Sequence, residues 1–128
     1  MTTEIEKLTR DILDFRDERD WAQFHTPRNL AAALAIEAAE LQELTLWKTS
    51  EEVRAYLQRE TNLERMSDEI ADVMIFTLLL AHETGVDLPE AIRSKLRKNA
   101  EKYPVKLSKG SAAKYTELDS EGEAPCES

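Results

Sequence analysis

"LAIEAAELQELTLW", Leu34 to Trp47, places Glu37 and Glu40 three residues apart inside a run otherwise dominated by Leu, Ala and Ile. An ordinary amphipathic helix turns its carboxylates away from its leucines. At about 100° per residue, with Leu30 set to zero, Leu34 falls at about 40°, Leu41 at about 20° and Leu44 at about 320°. Glu37 falls at about 340°, in the middle of that stripe, and Glu40 at about 280°, beside Trp47 at about 260°. Glu43, at about 220°, is one step further round. The acids therefore stand on or beside the face that should be buried.

The same test on "SDEIADVMIFTLLLAHE", Ser67 to Glu83, gives the same answer. With Met66 at zero, Glu69 lies at about 300° and Asp72 at about 240°, among Phe76 at about 280°, Leu80 at about 320° and Leu79 at about 220°. A lone carboxylate is costly to bury, so such groups are protonated, paired or bound to a metal. Four of them in two i, i+3 pairs converge if the two helices pack antiparallel, and their repulsion is relieved by a cation between them. All-oxygen ligation without His or Cys selects a hard ion, Mg²⁺ or alternatively Mn²⁺.

Other readings stand beside this one. In a chain with 26 acidic residues, any single Glu-x-x-Glu is by default a solvated helix face. Two such pairs on the apolar faces of two helices favour the metal site. A di-iron carboxylate bundle needs Glu-x-x-His on its helices, whereas His82 is ten residues past Asp72 and His25 precedes both segments. From a different class, a non-enzymatic helical interaction module would use the same carboxylates in interchain salt bridges.

Composition agrees with an all-α domain. The 128 residues suffice for one domain with a core, 41% are hydrophobic and 34% charged, and there are only three glycines and four prolines. A single cysteine, Cys126, excludes an internal disulfide framework and points to a reducing setting. "MTTEIEKLTRD" has no apolar stretch after a basic one, and the longest apolar run, Val73 to Ala81, is too short to span a bilayer. A soluble, cytoplasmic protein without a membrane partner is expected. The formal charge of −9 opposes non-specific binding to a nucleic acid polymer. It does not oppose small phosphorylated ligands, which a cation can bridge to carboxylates.

Five helices are predicted: Glu4 to about Asp20; Thr26-capped, from Pro27 to about Trp47; Thr49-capped, to about Arg59; about Ser67 to Thr84, stopping at Gly85; and Asp87-capped, to about Lys102. Residues 1–103 read as the helical domain, 104–118 as an irregular arm and 119–128 as a disordered tail.

Glu37-x-x-Glu40, a gap of 28 residues, then Glu69-x-x-Asp72 resembles the signature of the all-α nucleoside triphosphate pyrophosphohydrolases, the MazG-like superfamily. "ERDWAQFHTPRNL", "ELTLWK", "VDLPEAIRSK" and "KYPVKLSKGSAAKYTEL" look like its dCTP pyrophosphatase branch. The resemblance implies a MazG-like four-helix bundle assembled as a homotetramer, a dimer of dimers. It implies Mg²⁺ held by Glu37, Glu40, Glu69 and Asp72, and hydrolysis of a deoxynucleoside triphosphate, dCTP or a modified dCTP, to the monophosphate and pyrophosphate.

By the same resemblance, Trp21 and Trp47 line the base pocket, and Lys95, Asn99 and Tyr103 serve base, sugar or phosphates. The vertebrate relatives carry a base-contacting histidine where this chain has Ile12 and a tyrosine where it has Phe76, which bears on base selectivity. A broader dNTP pyrophosphatase, taking dATP, dUTP or dTTP, is the alternative within the class. Glu43, one turn beyond Glu40, is a candidate general base or else a surface glutamate. His25 is a candidate substrate contact or else orients the start of its helix.

Overall fold

The computed structural model describes residues 1–118, and no strand occurs among them. The expected all-α class is observed. Five longer helices run Glu4–Glu18 (α1), Pro27–Glu43 (α2), Ser50–Leu57 (α3), Glu60–Thr84 (α4) and Leu88–Lys102 (α5), followed by single turns at Val105–Ser108 (α6) and Tyr115–Leu118 (α7). The tail read over 119–128 and Cys126 lie outside the described residues.

The starts of these helices follow from local chemistry. Thr3 and Glu6, and again Thr49 and Glu52, form reciprocal capping boxes that satisfy amide groups left free at a helix start. Thr26 caps α2 by accepting from the Asn29 amide at 3.2 Å, with Pro27 just inside. Asp87 does the same for α5 through Glu90 at 3.1 Å. Gly85, at φ 70°, closes α4 in the left-handed conformation that glycine adopts without strain.

Four boundaries differ from expectation, one of them the end of α3, at Leu57 rather than about Arg59. α4 begins at Glu60, seven residues before Ser67, because its cap position is Arg59 and carries no side-chain signal. α1 ends at Glu18, with Asp20 already in the left-handed region at φ 54°. α2 ends at Glu43. The chain then turns through Leu44 to Trp47, whose φ of 62° is incompatible with a right-handed helix. The helical angle assigned to Trp47 therefore does not apply.

Two compact units divide between Val86 and Asp87. In the first, α4 is the central element, packed most extensively on α2 and also on α1 and α3. Leu30 of α2 and Leu78 and Leu79 of α4 are its buried apolar side chains among the described residues. Large apolar groups remain exposed on the same two helices, among them Ile36 at 59% and Ile70 at 53%. In the second unit, Leu118 is buried and Tyr103 meets Tyr115 edge to face at 6.1 Å.

Candidate active site

The long α2–α4 contact determines which acids meet. Glu37 and Glu40 from α2 and Glu69 from α4 each bring a carboxylate oxygen within 4.8 Å of the others. Glu37 and Glu69 are half-buried and Glu40 is exposed. Glu37 Oε2 and Glu69 Oε2 are sealed from solvent without any hydrogen-bond partner. Buried polar atoms are nearly always satisfied, so two orphaned carboxylate oxygens in one cluster are groups that a cationic partner would satisfy.

The same crowding acts on protonation. The Glu37 carboxyl is pushed up to about 7, first by burial, then by the Glu69 and Glu40 carboxyls beside it and by the charges of Glu40 and Asp72. A proton or a cation relieves the repulsion. An all-carboxylate donor set with no imidazole or thiolate fits a hard divalent ion such as Mg²⁺. The residues present fit such a metal.

Asp72 is half-buried and stands outside the three-glutamate cluster, but within range of Glu37's charge. It shares with Glu37 the wall of a cavity of about 690 Å³, a size suited to a small organic ligand. Ile12, Trp21, His25 and Phe76 line the same cavity. Trp21 is held by an edge-to-face contact with Phe15 at 5.9 Å, and its amide donates to the Arg16 carbonyl at 3.1 Å. His25 precedes the Thr26 cap, and its Nδ1 is buried without a partner. Its imidazole is biased towards the neutral form, first by desolvation and then by the Arg16 charge, with Glu83 opposing.

The remaining expected site residues are not among those that form the cluster or line the cavity. Trp47 is 93% exposed in the turn after α2 and is not part of the cavity wall. Glu43 is the exposed last residue of α2, outside the carboxylate cluster. Lys95 and Asn99 lie on α5 and Tyr103 is its C-cap, all within the second unit. Arg16, Phe15 and Met74 also line the cavity and were not among the expected site residues. Arg16 reads there as one charge within "FRDERD", and nothing local marks it as buried.

Comparison with known proteins places this architecture. Residues 32–118 match the model of the MazG-like family, and the chain belongs to that family. It is similar to dCTP pyrophosphatase 1 of Rattus norvegicus, 44% identical over 114 residues, which cover 89% of this chain and 67% of the relative. The protein of the same name from Homo sapiens is 42% identical over the same length. Among solved structures, a pyrophosphatase from Archaeoglobus fulgidus superposes with a TM-score of 0.75 at 38% identity, covering 81% of this chain and 95% of the other.

Proposed function

We propose that this chain is a Mg²⁺-dependent nucleotide pyrophosphohydrolase that converts dCTP, or a modified dCTP, to dCMP and pyrophosphate, keeping the deoxynucleotide pool clean. The carrying observation is the pair of orphaned oxygens, Glu37 Oε2 and Glu69 Oε2, beside a cavity of nucleoside size. The named activity of the relatives supports the substrate.

Glu37, Glu40 and Glu69 would hold the metal, with Asp72 completing or supporting the set. When bound, Mg²⁺ neutralises charge on the triphosphate and polarises its phosphoryl oxygens. Without that neutralisation the carboxylates would repel the substrate. Trp21 and Phe76, both lining the cavity, offer aromatic faces on which a base can stack. Glu43, at the exposed end of α2, is a candidate to take the proton from the attacking water, the other reading being a surface glutamate. Attack at the α-phosphorus breaks its bond to the bridging oxygen and releases pyrophosphate.

A homotetramer in the cytoplasm completes the proposal. Its physical support is the exposed apolar surface of α2 and α4, including Ile36 and Ile70, on a chain whose described core holds few fully buried side chains. The second reading, a broader dNTP pyrophosphatase, is favoured by Ile12 and Phe76. Both line the cavity and neither offers a hydrogen-bonding group, and it is polar contacts that reject analogues strongly.

Incubation with Mg²⁺ and a panel of nucleoside triphosphates, with products resolved by chromatography, tests both readings. Monophosphate plus pyrophosphate from dCTP is expected. Diphosphate plus phosphate, or no turnover, would overturn the proposal. Equal turnover of dCTP, dUTP and dTTP would select the broader reading.

A further inference from the structure

We infer that the Arg16–Glu83 ion pair is a positioning device for the cavity wall that carries Trp21 and His25. The inference rests on reading that cavity as the nucleotide site. Arg16, at 8% exposure, is the buried charged residue among those described. Its Nη1 donates to Glu83 Oε1 at 2.8 Å and its Nε to Asp17 Oδ1 at 2.9 Å. The first bond ties the last turn of α1 to the last turn of α4, across 67 residues of sequence.

The backbone of the same residue carries the wall. The Arg16 carbonyl accepts from the Trp21 amide at 3.1 Å and from the Arg19 amide at 3.2 Å, closing a turn in which Asp20 has φ 54°. Anchoring the Arg16 side chain to α4 therefore fixes the carbonyl from which Trp21 hangs. Trp21 leads through the short 3₁₀ turn Ala22–Phe24 to His25, and Arg16, Trp21 and His25 all line the cavity. The charges of both Arg16 and Glu83 are felt at the His25 imidazole, so the pair lies close to that side chain as well.

A guanidinium is suited to this task. Its planar fork sets direction as well as distance, which an ammonium does not. α1 also packs on α4 through other residues, so the pair is not the sole link between them. A bond needed for stability alone would be equally well served by apolar side chains.

The test uses the full chain with Mg²⁺ and dCTP, comparing wild type with Arg16→Met, Arg16→Lys and Glu83→Gln. Arg16→Met should raise KM about tenfold while kcat stays within about twofold, the signature of a displaced binding wall. Arg16→Lys, which keeps the charge without the fork, should fall between the two. In a Trp47→Phe background Trp21 is the only tryptophan, and its fluorescence should become more accessible to acrylamide in the Arg16→Met protein. A lowered melting temperature with unchanged KM and unchanged quenching would overturn the inference. Should Arg16→Met fail to fold, Glu83→Gln, which keeps the shape and an acceptor oxygen, decides by the same two readouts. Absence of turnover by wild type would overturn the nucleotide reading instead, while the quenching comparison would still decide the positioning.

Discussion

The two carboxylate pairs have the same spacing and different fates. On α2, both Glu37 and Glu40 reach the cluster; on α4, Glu69 reaches it and Asp72 faces the cavity. Residues three apart on a helix are separated by about 60° around the axis and by about 4.5 Å along it. Side-chain length then decides. A glutamate can span that offset and an aspartate, one methylene shorter, reaches less far. The pairs share a pattern but differ in placement, three glutamates in the cluster and one aspartate on the cavity wall.

Removing a glutamate of the cluster should have the largest effect. Glu37→Gln, Glu40→Gln and Glu69→Gln are each expected to lower kcat by about 10³-fold or more, since a metal that stabilises transition-state charge contributes several kcal/mol. Circular dichroism should show the fold retained. Near-normal turnover by Glu40→Gln would remove that residue from the metal shell. Asp72→Asn should cost less, about 10- to 100-fold, as expected of an acid beside the donors rather than among them. If it costs as much as Glu69→Gln, the two pairs are equivalent and the comparison fails.

Metal removal and pH probe the same crowding from the side of stability. In the metal-free chain the folded-state pKa of Glu37, about 7, lies above its ordinary value of 4.5. A raised folded pKa means stability that is fully present below about 4.5 and is lost as pH rises through 7. With EDTA the melting temperature should therefore fall between pH 5 and pH 8. On the proposed reading Mg²⁺ would bind the ionised carboxylates of the folded chain, so it should raise the midpoint, and by more at pH 8 than at pH 5. A metal-independent midpoint at millimolar Mg²⁺ would favour an interaction module over an enzyme.

Smaller changes sharpen the division between metal and base. Ile12→His and Phe76→Tyr put hydrogen-bonding groups into the cavity, and the kcat/KM ratio between dCTP and dTTP should change by about 10- to 100-fold with little loss of stability. Unchanged ratios would place the base elsewhere. The smallest effect should come from the tryptophans compared with one another. Trp21→Ala should raise KM more than Trp47→Ala, because Trp21 lines the cavity and Trp47 stands in solvent. The reverse order would mean that Trp47 meets the base from the turn after α2.

Much of this was legible in the residues. Period and caps are local properties, so "HTPRNL", "TSEE" and "DLPE" announce helix starts that the structure retains at Pro27, Ser50 and Leu88. The convergence of Glu37, Glu40 and Glu69 was readable too, because acids on two leucine faces have few places to go once those faces pack together. The early start of α4 was not, since Arg59 offers no capping side chain and the segment after it has no distinctive period.

What the sequence determined by itself is therefore whatever depends on neighbours within a turn or two: an all-α chain, its helix starts, and two apolar faces interrupted by acids at a three-residue spacing. The tertiary structure decided which carboxylates of the two pairs meet and which two of their oxygens are left without partners. It also released Trp47 from its helix at φ 62° and joined Arg16 to Glu83 across 67 residues. These outcomes depend on helix-to-helix distance, on side-chain reach and on burial. None of the three exists until α2 and α1 lie against α4.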